Sequence, residues 1–262
     1  MPTDRMLAEK RGAIGVMTFN NPERHNAVSL EMWQAADAIL ADFVADKAIR
    51  VIVVTGAGGK AFVSGADISK FESERATEAA VKTYNEAVDR MYGGIHDLPK
   101  PTIAMIRGYC IGGGLGLAIA CDVRVCSDVS RFALPAAKLG LGYGYSGVRR
   151  FLDLVGPAVT KEIFYTARQY DAATALRWGL VNHALPDAEV EPFVMDMAAT
   201  IAANAPLTVG AVKGITLEIL KDPADRDLAR CERMVEACFE SRDYVEGRRA
   251  FMEKRKPEFV GA

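Results

Sequence analysis

The chain has 262 residues, half of them apolar and a quarter charged, with a formal net charge of −2. That length suits one large globular domain or one domain with a small appendage, and the near-neutral balance argues against nucleic acid as the main partner, which would need a basic face. No apolar run reaches the roughly 18 residues of a membrane span, and the opening MPTDRMLAEKRG mixes acids with bases and lacks the apolar stretch of a signal peptide.

In chain order, residues 13–19 (AIGVMTF) alternate enough to predict a strand. The loop NNPERHNA follows, and Ser29 is placed to cap a helix running to about Val44. IRVIVVTG is a β-branched run ended by glycine, which reads as a buried strand. After AGGKAFVSGADI, a strongly charged helical stretch spans about 75–96 and is closed by Pro99 and Pro101. TIAMIRGYC is a second buried strand, a helix follows from about Leu115 to Ala120, DVRVCS is a third strand and RFALP a fourth. From Pro157 onward, residues 157–167, 171–178, 189–204, 207–221 and 225–240 carry helical periodicity between Gly, Pro and Asp punctuation.

The expected class is therefore α/β, with a core over 1–195 and a helical C-terminal region over 196–262. The strand–glycine–helix pattern recurs loosely near 51–70 and 102–120, which suggests a repeated ββα turn. Five cysteines (Cys110, Cys121, Cys126, Cys231 and Cys238) lack CxxC spacing and mostly sit among apolar residues, as reduced thiols of a cytoplasmic protein would. His25, His96 and His183 lie far apart, so no metal site is expected.

The stretch YCIGGGLGLAIACD, 109–122, carries the chemistry. Three consecutive glycines precede a helix and Gly116 lies one turn inside it, although each glycine costs a helix about 1 kcal/mol relative to alanine. The run is neither a phosphate-binding GxxxxGK[ST] loop nor a GxGxxG fingerprint, which fails at Leu117. A close-packing turn would explain it without chemistry. The other reading is a bare helix N-terminus whose first N–H groups lack acceptors and carry partial positive charge. A substrate oxygen could approach such a donor, and AFVSGADI offers a second small-residue turn after a strand. Two backbone donors on one carbonyl oxygen form an oxyanion hole, worth about 3 kcal/mol per donor.

AFVSGADI, KPTIAMIRGYCIGGGLGLAIACD, GLVNHAL and AFMEKRKPEF together resemble the enoyl-CoA hydratase/isomerase (crotonase) superfamily, in order from about residue 10 to 260. The resemblance implies a spiral of ββα turns, a helical trimerisation region, and a homotrimer or dimer of trimers. It implies an acyl-CoA thioester as substrate, with coenzyme A part of that substrate and no separate cofactor. By matched position the oxyanion donors are the N–H groups of Ala66 and Gly113. Coenzyme A is expected along Arg24 and Ala27, with Ser64, Asp67 and Ile68 near the adenine, Gly65, Gly112 and Leu134 also among the substrate-binding residues, and Lys254 reaching a phosphate across a subunit boundary. Arg24 and Lys254 could instead be solvated charges, and Asp67 could simply shape its turn.

The sequence departs from the family where its hydratases carry two glutamates. Gly116 stands at the first and Ala136 at the second, and Gly144 stands where some relatives place an aspartate. General acid–base help is worth about 10² to 10⁴ in rate, so ordinary water addition is not expected unless Glu86, Asp89 or Glu162 folds into the pocket. Loss of CO₂ from a malonyl-type thioester makes an enolate without a base. LGLGYGYSG and the C-terminal sequence resemble the methylmalonyl-CoA decarboxylase branch, which would make Tyr143 the residue that orients the substrate carboxylate. That branch has histidine where this chain has Ala66 and glutamate where it has Gly116. Tyr145, Arg149 and Arg150 are further candidates to grip an acidic acyl group, although Tyr143 could instead serve packing and the two arginines a surface or trimer contact. A non-catalytic acyl-CoA-binding subunit is the reading from a different class.

Overall fold

The strands, in chain order, are β1 (Met6–Arg11), β2 (Ile14–Phe19), β3 (Val51–Gly56), β4 (Ala61–Val63), β5 (Thr102–Ile106), β6 (Tyr109–Ile111), β7 (Val123–Ser127), β8 (Arg131–Ala133), β9 (Tyr170–Asp171) and β10 (His183–Leu185). The helices are α1 (Leu30–Ala45), α2 (Glu78–Asp97), α3 (Gly113–Ala120), α4 (Tyr145–Thr166), α5 (Ala172–Arg177), α6 (Asp187–Ala203), α7 (Pro206–Leu220), α8 (Leu228–Glu240) and α9 (Arg242–Glu253). This computed structural model describes residues 3–67, 70 and 76–262; Ile68 lies outside the described residues.

Six strands form one sheet in the order β1-β2-β3-β5-β7-β10, and four form a second in the order β4-β6-β8-β9. In both, the central pairings are parallel. The pairs β3–β4, β5–β6 and β7–β8 each give their first strand to the larger sheet and their second to the smaller, and a helix follows each pair. The repeated ββα turn expected from the glycine pattern is thus the unit of the spiral.

The apolar strands read as continuous runs because both faces of the larger sheet are covered. In β3, Val51 and Val53 face α6, while Ile52 and Val54 face the main core with α1 and α3; in β5, Ile103 and Met105 take the first side, Ala104 and Ile106 the second. Helix α1 starts at the expected cap, Ser29, whose side chain accepts the Met32 N–H. Among the described residues no single helix is long and apolar enough to cross a membrane; α6 and α7 together have the composition but bend by 105°.

Several boundaries differ from expectation for physical reasons. Helix α3 begins at Gly113, two residues early, because its first turn is held by tertiary contacts rather than propensity. The segment 145–166 is helical on both sides of a break at Gly156 (φ 73°), so the helix expected from Pro157 has a longer partner before it. The C-terminal half is not wholly helical: β9 and β10 are two- and three-residue strands completing the two sheets. The edge strand β1 was not expected, since it buries only Met6, and α9 lies within the expected helical region but beyond its periodic segments, since it buries only Asp243 and Ala250.

Candidate active site

Two loops and one helix end meet beneath α2. The loop after β2 is held by Asn26, whose side-chain amide donates to the carbonyls of Ala57 and Ala61 and whose oxygen accepts the Asn21 N–H. Val28 then pairs with Ala66 in a single parallel bridge. The Val28 N–H donates to Gly65 O and the Asp67 N–H to Val28 O, both at 2.9 Å. That pattern turns the N–H of Ala66 to the opposite side, away from Val28.

The helix end lies against this loop. A Cβ on Gly65 (φ 104°) would stand 3.3 Å from Ile111 O and 3.7 Å from Gly113 N, so only glycine lets the two backbones approach so closely. Gly112, also at positive φ (56°), donates its N–H to Ala133 O at 2.8 Å. Gly113 opens α3, where N–H groups have no acceptor one turn back. Gly114 packs on the Val63 backbone: a Cβ there would overlap the carbonyl oxygen and lie 2.7 Å from its carbon. At the far end of α3, buried Arg124 donates to the carbonyls of Cys121 and Leu180, with burial lowering its pKa. The Ala66 and Gly113 donors therefore sit on adjoining, mutually packed segments.

Gly116, where the resemblance leads one to expect a glutamate, lies against two phenols. A Cβ there would lie 3.0 Å from the Tyr143 hydroxyl and 3.0 Å from both Cε2 and the hydroxyl of Tyr92. Two phenols fill the space. Tyr143 packs edge-on against Phe164 at 5.0 Å, and Gly147 leaves room for its ring, since a Cβ there would meet Cε1 and Cδ1. Tyr92 is buried and donates its hydroxyl to Gly113 O at 2.6 Å. Burial raises both phenols, Tyr143 to about 12 and Tyr92 well above the usual value, so both stay protonated donors near neutrality. The positive charge of Arg150 and the negative charge of Asp89 act on both in opposite directions.

The sequence-derived residues divide by place. Arg24, Ala27, Ser64, Gly65, Ala66 and Asp67 come together: Arg24 O accepts the Ala27 N–H and the Ser64 hydroxyl, and the Arg24 guanidinium, half exposed, pairs at 3.2 Å with the Asp67 carboxylate, 4% exposed. Gly112 and Gly113 join them through Gly65. Leu134 is buried just before Pro135, whose Cδ lies 3.9 Å from the Cβ position of Gly112, and Ala136 is buried in the following 3-10 turn. Lys254 closes α9 in the left-handed conformation, in the helical C-terminal part rather than on these loops.

Of the three acids considered, Glu86 pairs with Lys82 on the exposed side of α2 and Glu162 is exposed on α4. Asp89, also exposed, is the one whose charge reaches the phenols. Arg149 is committed to Asp153 at 2.9 Å and to Leu220 O, which leaves Arg150 as the cation beside the site. Cys110, Cys121 and Cys126 are buried thiols that burial pushes up, the latter two to about 12. Sequence reasoning missed Tyr92; the available signal was a polar-tipped aromatic on the buried face of an otherwise charged helix.

Comparison with known proteins places the chain in a family. The enoyl-CoA hydratase/isomerase family model matches residues 9–262. The chain belongs to that family. It is 32% identical to the short-chain-enoyl-CoA hydratase of Clostridium acetobutylicum, over 98% of each chain. It is 33% identical to the crotonyl-CoA hydratase of Syntrophomonas wolfei, over 99% of each. Among solved structures, an enoyl-CoA hydratase/carnithine racemase from Magnetospirillum magneticum superposes with a TM-score of 0.91 at 34% identity, covering all of this chain and 97% of the other.

Proposed function

We propose that this acyl-CoA enzyme binds a thioester with its carbonyl oxygen between the N–H groups of Ala66 and Gly113, and that it generates the enolate by decarboxylating a malonyl-type ester. The observation that carries the reading is at Gly116, where two protonated phenols take the space of a carboxylate side chain. Neither glycine there nor Ala136 can exchange a proton. In the proposed step the bond between the α-carbon and the carboxylate breaks, CO₂ leaves, and its electron pair moves into the thioester as an enolate. The two N–H donors stabilise the oxygen that gains charge. Tyr143 orients the departing carboxylate through its O–H, with Arg150 nearby to attract the anionic ester, and water supplies the final proton to carbon.

The second reading is hydration of an enoyl-CoA, favoured by the relatives that are hydratases and by Asp89, whose charge reaches the phenols. Mass spectrometry of methylmalonyl-CoA and crotonyl-CoA incubated with the enzyme separates the two. The expected result is propionyl-CoA from the first and unchanged crotonyl-CoA. Water gained by crotonyl-CoA, with methylmalonyl-CoA intact, overturns the decarboxylase reading.

The same proposal includes self-association. A groove of about 930 Å³ between α7, α8, α9 and the tail is lined by apolar side chains such as Val212, Phe239 and Tyr244. Phe251, on its rim, is 82% exposed. A further copy of the chain, in a trimer or a dimer of trimers, is the occupant we propose; Lys254 stands three residues beyond Phe251, where it would meet that copy's ligand.

A further inference from the structure

Gly113 carries a donor on a residue with no side chain to hold it, so something else must fix its orientation. On its N-terminal side, Gly112 is tied to Ala133 O at 2.8 Å. On its C-terminal side, the Gly113 carbonyl accepts the Tyr92 hydroxyl at 2.6 Å. The Gly113 N–H is therefore clamped between two anchored peptides. Tyr92 comes from α2, twenty-one residues earlier, and its ring stands edge-on to Trp33 at 5.7 Å and 89°. Trp33 in turn approaches the Cβ position of Gly113 at 3.9 Å and donates its indole N–H to the Tyr84 hydroxyl at 3.0 Å. Tyr84 reaches Val28 O, at 3.4 Å, and Val28 is the bridge partner of Ala66. One aromatic group thus touches the backbone behind both donors.

We propose that Tyr92 is a positioning residue of the oxyanion hole: its hydroxyl grips the Gly113 carbonyl and, backed by Trp33 and Tyr84, fixes the direction in which the Gly113 N–H meets the thioester oxygen. The inference rests on the reading of Ala66 and Gly113 as the two donors. Tyr92 does not itself exchange protons with substrate, because its O–H is committed to Gly113 in a buried setting. Glycine makes such a clamp necessary, since its φ and ψ are held by nothing intrinsic.

The test is isotope-edited infrared spectroscopy of butyryl-CoA carrying 13C at the thioester carbonyl, bound to the wild-type protein and to Tyr92→Phe. The wild type is expected to move the carbonyl band to lower frequency. Tyr92→Phe keeps the ring against Trp33 and is expected to lose about half of that shift or more, while its Kd for coenzyme A stays within about twofold, because only the misaligned donor is affected. On whichever of methylmalonyl-CoA or crotonyl-CoA the wild type turns over, kcat falls about 10- to 100-fold with KM within about threefold. Tyr84→Phe gives a smaller change in the same direction and serves if Tyr92→Phe does not fold. A wild-type band that does not move on binding removes the donor reading and this proposal with it. A wild-type shift that both variants reproduce overturns the role of Tyr92 alone.

Discussion

Gly114→Ala sets helix propensity against packing, and the two give opposite signs. By propensity alone, alanine in the first turn of α3 would stabilise by up to about 1 kcal/mol. The structure places the new Cβ against the Val63 backbone, overlapping its carbonyl oxygen and 2.7 Å from its carbon. Carbon atoms settle at about 3.5 Å or more, so α3 and β4 must separate by at least roughly 0.8 Å to clear the carbon, and by more to clear the oxygen. The atom met is backbone and cannot rotate away, which puts the cost near the upper end of the 1–3 kcal/mol typical of overpacking. The net effect is a loss of about 2 kcal/mol, or roughly 4–8 °C in Tm for a chain of this size. The activity loss is larger, because the same separation pulls the Gly113 donor away from Ala66. A displacement of that order costs about 100-fold in turnover. Thermal melting followed by circular dichroism, with kcat measured by product mass, reads both numbers. A variant that melts at or above the wild-type temperature and keeps its activity would refute the packing argument.

Tyr143→Phe retains the ring against Phe164 but removes the donor, so Tm should hold while kcat on methylmalonyl-CoA falls about 10- to 100-fold, the worth of one hydrogen bond to a charged group; unchanged turnover would remove Tyr143 from the mechanism. Because burial raises that phenol to about 12, wild-type activity should show no Tyr143 titration between pH 7 and 10. Glu218 on α7 accepts from Lys221, Arg230 and the Asp227 N–H, and these partners lower its pKa from 4.5 to about 2. Its stabilisation is therefore complete above pH 4.5 and disappears as pH falls toward about 2, so the Tm gap between wild type and Glu218→Gln should be constant at pH 5–7 and close below pH 4.5. A gap that persists at low pH would contradict that account. Phe251→Glu places a charge in the C-terminal groove, so light scattering should give the mass of the proposed trimer or hexamer for the wild type and of single chains for the variant; an equal mass for both would show that the groove is not an interface between copies.

The parts of the fold legible in the sequence were those with a local cause. Ser29 announces its helix because the hydroxyl acts within one turn, and IRVIVVTG announces a strand because burial on two faces demands an unbroken apolar run. The glycine run pointed to a helix end approached by another backbone, and Gly65, Gly113 and Gly114 carry that contact. What escaped was decided at a distance. β10 is three half-buried residues made a strand by their pairing with β7, and α9 shows a mostly charged face whose groove is apolar. The phenol of Tyr92 reaches a glycine carbonyl across the spiral, and no spacing in the sequence records that reach. Gly116 and Ala136 were legible as residues that carry no acid, whereas the packing of Tyr92 and Tyr143 against Gly116 required the structure.

If the donors of Ala66 and Gly113 stabilise an enolate made without a carboxylate base, no enzyme group removes a proton from the α-carbon, and isotope exchange there reads that out. Butyryl-CoA and methylmalonyl-CoA would each be incubated with the enzyme in D₂O and weighed by mass spectrometry. Butyryl-CoA, which has no carboxylate to lose, should keep its α-protons, while propionyl-CoA formed from methylmalonyl-CoA should carry one deuterium. Deuterium entering butyryl-CoA would mean that a base reaches the α-carbon, which contradicts an enolate formed by decarboxylation alone.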